Sequence, residues 1–229
     1  VSPDFTFTTN SVPLIPDIIA HWKLNELSGI IAADSSGNNR TGTLVNGPVW
    51  TSSGQIAGAL TFDGSNDYIS IPTFDVSGSA MTMTAWVKFS SLPTSIDQRF
   101  LSKADNSSEA GHYWMFGHTY TGSAHRLRFR LKTGGNTTTL IASSGNLAVN
   151  TWYHASAVYD GSTMRLFLNG VEVGSVSKSG TISASSSVNV NLGRNPGGSA
   201  NNFSGTMDEV RIYNRALTAQ EISLIMIGN

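Results

Sequence analysis

The chain has 229 residues, 39% of them hydrophobic and only 13% charged, with a formal net charge of −1 and no cysteine. The near-neutral balance excludes a basic nucleic-acid footprint, and the lack of cysteine excludes disulfides, thiol nucleophiles and thiolate metal sites. Apolar residues spread along the whole length point to a packed core, not a disordered chain, and no apolar run is long enough to cross a bilayer.

Residues 1–17 carry Pro3, Pro13 and Pro16 among Ser and Thr. They read as a linker or edge segment, because proline cannot donate to a sheet ladder. No signal-peptide pattern opens the chain, and Val1 is expected to begin a piece of a longer protein. Residues 18–229 read as one domain of short strands separated by Gly, Asn, Asp and Ser clusters, the pattern of a sandwich or barrel.

Strands are predicted at Ala59–Phe62 and Tyr68–Ile71. In Met81–Phe89, the residues Met81, Met83, Ala85, Val87 and Phe89 oppose Thr82, Thr84, Trp86 and Lys88; this period of two predicts one face on the core and one in solvent. Asp105–Ser123 is rich in aromatics among Gly and Ser and reads as a loop of the kind that carries binding residues. In the next strand Leu127, Phe129 and Leu131 oppose Arg126, Arg128 and Arg130. Trp152–Val176 is a three-strand meander whose turns, Asp160-Gly161 and Asn169-Gly170, are hairpin signals requiring positive φ. Strands at Val188–Leu192 and Met207–Tyr213 follow. A short helix near Ala219–Ile225 closes the chain, because Thr218 and Glu221 form a capping-box pair; it is expected to pack on one end of the sandwich.

Several segments share an ordered pattern: IAHWKLNE from Ile19, DSSGN from Asp34, GALTFDGSNDY from Gly58, MTAWV from Met83, TWYH from Thr151, LFLNG from Leu166 and FSGTMDEVRIYNRALT from Phe203. Together they resemble the laminin-G-like jelly-roll domains of the concanavalin A-like lectin/glucanase superfamily, especially those appended to bacterial polysaccharide-degrading enzymes. The resemblance implies an all-β, two-sheet antiparallel jelly-roll sandwich with a short C-terminal helix. It also implies a structural Ca²⁺ clamped from near both ends of the domain. Asp208 holds the motif position of the closing-strand ligand, and Asp34, Asn38, Asp63, the Gly64 carbonyl and Asn25 are the other oxygens considered. The plain alternative is that Asp34 and Asp63 only stabilise turns.

Sugars stack their C–H faces on aromatic rings and need planar polar partners around them. The candidate carbohydrate-binding residues are Trp86, His112, Tyr113, Trp114, His118, Arg126, Arg128, Arg130 and His154, with Trp86, the arginine row and His154 expected to share one groove floor. Three alternating arginines suit carboxylates or sulfates. The alternative is that Trp86 and Trp152 are core residues and the arginines an ordinary solvated face.

No paired-carboxylate run, Gly-x-Ser-x-Gly elbow or His-Glu-x-x-His motif occurs. The leading expectation is therefore a non-catalytic carbohydrate-binding module for an anionic glycan. It would be secreted or displayed on a bacterial cell surface as part of a larger multidomain protein, with a polysaccharide as partner, no nucleic acid and no membrane insertion. The alternatives are a structural or adhesive protein-interaction module, and a lyase or hydrolase using His112, Tyr113, His154 and the arginines.

Overall fold

The computed structural model describes residues 15–198 and 201–228; the opening segment through residue 14 lies outside the described residues. The first half of the chain forms β1 (Ile18–Trp22), β2 (Ile31–Ala32), β3 (Gly42–Val45), β4 (Val49–Thr51), β5 (Ala59–Asp63), β6 (Tyr68–Ile71), β7 (Met81–Phe89) and β8 (Gln98–Ala104). After a 3-10 turn at Glu109–Gly111 come β9 (His112–Tyr120), β10 (His125–Thr133), β11 (Asn136–Ile141), β12 (Trp152–Tyr159), β13 (Thr163–Leu168), β14 (Val171–Ser177), β15 (Val190–Leu192), β16 (Ser204–Tyr213) and α1 (Ala219–Met226).

The described strands form two eight-stranded sheets. The first runs β14-β13-β12-β7-β16-β5-β4, with β1 also on β16; the second runs β11-β10-β9-β8-β15-β6-β3-β2. Every ladder is antiparallel, so strands distant in sequence meet at the sheet centres: β7 lies between β12 and β16.

Alternation decides what lies between the sheets. Met81, Met83, Ala85, Val87 and Phe89 join Leu127, Phe129, Leu131, Met164, Leu166 and Leu168 in one buried cluster. Aromatic rings lock its middle: Phe100 meets Phe116 edge-on at 5.2 Å between ring centroids and Phe89 at 5.8 Å, pairs worth about 0.5–1.5 kcal/mol beyond burial.

The meander forms as its turns dictate. Asn169 and Gly170 both take positive φ, 51° and 79°, as a type I′ turn requires. The other turn departs from that form. Only Gly161 is left-handed (φ 92°), and Asp160 instead accepts the backbone N–H groups of Ser162 and Thr163. Thr218 and Glu221 make the capping box at the start of α1.

Three expectations need correction. The helix does not sit on an end of the sandwich: Ile222, Ile225 and Leu217 pack on Val158, Phe167 and Tyr213, on the outer face of the first sheet. Most of the polar face of β7 is likewise withdrawn from solvent: Thr82, Thr84 and Trp86 are buried, and Lys88 alone stays part-exposed. Asp105–Ser123 is not a loop; nine of its residues form β9, where Trp114 and Phe116 point into the core. Gly117 has extended backbone and allows β8 close, since a Cβ there would fall 2.1 Å from the Gln98 carbonyl.

Candidate functional site

The predicted site residues divide between two surfaces. Trp86 on β7 and His154 on β12 are register partners on the outer face of the first sheet, with Asp208 opposite Trp86 on β16. The arginines of β10 belong to the second sheet, opposite in side to Leu127, Phe129 and Leu131 of the core. The expected common groove of Trp86, Arg128 and His154 is therefore not formed, because β10 adds to β9 and never neighbours β7 or β12.

The first surface is closed. Helix α1 and the turn preceding β5 cover it and meet where Gly228 approaches Ile56. Trp86 keeps 7% of its surface and His154 none. Burial, with the nearby Arg211 charge, drives His154 down to about 3, so the ring is neutral. A bulge between Asp208 and Arg211 places an extra residue in β16, with Glu209 at φ 52°. Met207, Val210 and Ile212 still join the core, while Glu209 pairs with His21 on β1 at 2.7 Å and with Arg211 at 2.5 Å. Asp208 Oδ2 accepts from the Ile56 N–H at 2.7 Å, but Oδ1 is buried without a partner. Burial pushes this carboxyl up to about 7.

The six calcium-ligand candidates take their hydrogen bonds in three places. Asn25 Oδ1 accepts from the Gly58 N–H, so Asn25 and Asp208 grip one turn from two sides. Asp34 accepts the N–H groups of His21, Ser36 and Arg40, and the Asn38 amide donates to Ile18 and Ile19. Asp63 accepts from Ser65 and Asn66, beside Gly64, which packs on Ser204. Among the described residues no three His, Asp or Glu side chains converge to hold a metal ion.

The second surface is the outer face of β8, β9 and β10. Register pairs define two rows across it: Ile141–Arg128–Gly117–Arg99, and Thr139–Arg130–Met115–Ser102–Asn191–Ser70. Arg128 pairs with Asp97 in a short contact, and Arg99 Nη2 lies 3.8 Å from the same carboxylate. Arg130 Nη1 lies 3.2 Å from His112 Nδ1. Burial first, then the Arg130 and Arg99 charges, lower His112 to about 4. Tyr113 is half-buried with the Lys132 ammonium 4.7 Å above its ring, and Arg126 is half-buried.

Of the nine carbohydrate candidates, Tyr113, Arg126, Arg128, Arg130 and His112 thus lie in or beside this second surface. Trp114 and His118 face the core, where His118 meets Phe89 edge-on at 5.1 Å. Of the two tryptophans whose alternative reading was core packing, Trp86 is buried, but Trp152 is not; its half-buried ring lies under Lys88 Nζ at 4.9 Å. The groups considered for a lyase do not converge, with His154 on the first sheet and His112 and Tyr113 on the second. Sequence reasoning missed Arg99 and Asp97. The strand offered no clear signal: β8 mixes Gln98, Arg99, Ser102 and Lys103 with Phe100, Leu101 and Ala104, and a bulge at Arg99/Leu101 hides its alternation.

Residues 63–223 match a laminin-G-type family of the concanavalin A-like lectin/glucanases superfamily. No curated protein matches the chain. Among solved structures it is similar to the binding domain of Paraclostridial Mosquitocidal Protein 1, with a TM-score of 0.71 and 18% identity over 92% of this chain and 52% of that one. It is also similar to domain 4 of AbnA, a GH43 extracellular arabinanase from Geobacillus stearothermophilus, in complex with arabinotriose (TM-score 0.66, 22% identity, 92% of this chain and 98% of that one). The receptor binding domain of botulinum neurotoxin C/D mosaic serotype gives a TM-score of 0.68 at 13% identity over 93% and 51% of the two chains. The chain thus spans about half the length of the two toxin binding domains and nearly all of the arabinanase domain. At these identities the likeness is one of fold.

Proposed function

The chain belongs to the concanavalin A-like lectin/glucanases superfamily, and on that premise we propose that it is a non-catalytic carbohydrate-binding module for an anionic polysaccharide. The observation that carries the reading is the row of Arg126, Arg128 and Arg130 on β10, on the side of the second sheet away from Leu127, Phe129 and Leu131; Arg126 and Arg128 are half-buried, Arg130 is buried rather than solvated, and the nearby Tyr113 ring packs partly on the core. Guanidinium forks match carboxylate and sulfate groups, and a half-buried tyrosine offers a ring for a sugar face. The arabinotriose complex of the similarly folded arabinanase domain supports a sugar ligand, and its standing as one domain of an extracellular enzyme supports a secreted, multidomain parent. There the module would raise the effective concentration of an attached enzyme at its polysaccharide. Affinity electrophoresis through gels of alginate, polygalacturonate, sulfated galactan, arabinan and glucan tests this. Retardation in an acidic gel, weakened by salt and by Arg126→Gln with Arg128→Gln, is expected; free migration in every gel refutes it.

Calcium belongs to the same reading. The unpartnered Asp208 Oδ1, aimed beside a turn that Asn25 also grips, supports these two residues as ligands. Asp34 and Asp63 are held by N–H groups of their own turns. Bound there, the ion would supply electrostatic ties between the chain's beginning, the turn before β5 and the closing strand.

A protein-contact reading rests on another edge. Leu27, Ile30, Ile31 and Val49 are exposed apolar residues, and the Trp50 indole donates to the Gly29 carbonyl, joining that loop to β4. Self-association or partner binding lost on Ile30→Ser with Val49→Ser would favour this second reading.

A further inference from the structure

Arg99 on β8 and Arg128 on β10 are both register partners of Gly117 on β9. They therefore project on the same side from strands two spacings apart, roughly 10 Å, with no side chain between them. Asp97 reaches into this gap. Its Oδ2 contacts Arg128 Nη1 and lies 3.8 Å from Arg99 Nη2, and its Oδ1 accepts from the Thr119 hydroxyl.

The charges here do not balance. Among the described residues Asp97 is the one acid in ion-pair reach of Arg99 or Arg128, and Arg130 has none. Arg130 faces His112, which is neutral. Arg99 is 2% exposed, yet its Nε and Nη1 have no partner, and neither does Arg128 Nε. Burying guanidinium N–H groups without acceptors is expensive. A core position would favour methionine or leucine. A charged group is explained at Arg99 if its hydrogens meet an acceptor that arrives from outside.

We propose that Arg99 and Arg128, with the side-chain-free Gly117 between them, form the seat for a single carboxylate of a uronic-acid residue, and that Asp97 is the internal carboxylate holding the seat until the ligand displaces it. This rests on the carbohydrate-binding reading above and names the group recognised. The choice of carboxylate follows from Asp97, whose own carboxylate already spans the two guanidiniums. A planar two-oxygen anion matches a guanidinium fork edge to edge. Desolvation lowers Arg99 to about 9, as expected for a cation whose single counter-ion is shared.

The test uses the intact chain with arginine Nε–Hε signals followed by NMR. Sodium glucuronate is titrated at fixed ionic strength, with glucose and sodium sulfate as controls. Saturable shifts of the Arg99 and Arg128 signals with glucuronate alone are expected. Asp97→Asn should tighten glucuronate binding by about tenfold, since a competing charged hydrogen bond is removed. Arg128→Gln, checked for an unchanged backbone spectrum, should abolish it. The proposal is overturned by no saturable shift, by an equal response to sulfate, or by an Asp97→Asn variant with unchanged affinity. Free glucuronate reports on the seat alone. Seat binding without retention by any polysaccharide defeats only the module reading, and retention by a neutral glycan without a glucuronate response defeats only the seat.

Discussion

His154 and Trp86 meet edge to face across β12 and β7, ring centroids 5.3 Å apart, beneath a cover that leaves the imidazole no exposed surface. Packed against an indole and near Arg211, this histidine is held neutral by the fold, and that state has a consequence for acid stability.

His154 and His118 are lowered to about 3 and His112 to about 4, against an ordinary value of 6.5. Between those limits the unfolded chain takes up three protons that the folded chain refuses, so stability falls as pH drops below 6.5. Asp208 works the other way. Raised to about 7, it holds a proton in the folded state down to its unfolded value of 3.8 and offsets one histidine. For these four groups a net difference of two protons gives about 2.7 kcal/mol lost per pH unit near pH 5, and His21 and His125, also lowered by burial, act in the same direction. Urea unfolding midpoints measured from pH 7 to pH 4.5 should fall steadily. A flat profile would mean that these rings are solvated.

Asp208→Asn separates the structural and ionic roles of one side chain. The amide oxygen still accepts from Ile56 N–H, and no charge is buried, so at pH 8 in chelator the variant should match or exceed the wild type in stability. Calcium should reverse the order. At a hundredfold excess over its dissociation constant the ion adds about 2.7 kcal/mol to the wild type and much less to the variant. Thermal melts with EDTA and with millimolar CaCl2 read both effects; identical melts for wild type with and without calcium would remove the ion from the reading.

Gly117→Ala tests the packing beneath the arginine row. Its Cβ would fall 2.1 Å from the Gln98 carbonyl oxygen and 3.1 Å from Arg99 Cα. Backbone cannot yield as a side-chain tip can, so β8 and β9 must separate. Such overpacking costs about 1–3 kcal/mol. Chemical denaturation should show this loss, whereas Gly122→Ala, in an open turn with nothing within 4 Å, should lose only what its positive φ demands.

Much of the fold was legible because it depends on local alternation. Met81–Phe89 and Leu127–Leu131 state which residues face the core, and the Asn169-Gly170 turn fixes its hairpin register. The site was less legible because it depends on which strands become neighbours. Nothing local to Trp86, His154 or Arg128 says that β7 adds to β12 while β10 adds to β9. Nor does it say that a helix nearly at the end of the chain will cover the face that β7's polar alternation seemed to leave wet. Asp97 and Arg99 acquire meaning only through Arg128, about thirty residues away in sequence.

The cover itself makes the last prediction. Helix α1 has eight residues, too few to be stable alone, so its position depends on its cap and its apolar face. Thr218 and Glu221 satisfy each other's backbone groups, and Arg215 adds a bond of 2.6 Å to Glu221. Thr218→Ala should cost about 1 kcal/mol, lowering Tm by about 2–4 °C in a domain of this size. Ile222→Ala, which removes a fully buried contact with the first sheet, should cost about 2–5 kcal/mol. Because the inter-sheet core is a separate cluster, the β circular-dichroism signal should persist at room temperature in both variants. Amide hydrogen exchange at Val158 and Phe167, which pack with the helix, should quicken only where the helix lifts. Exchange in Thr218→Ala as fast as in Ile222→Ala would mean that the cap, and not the apolar face, holds the helix down.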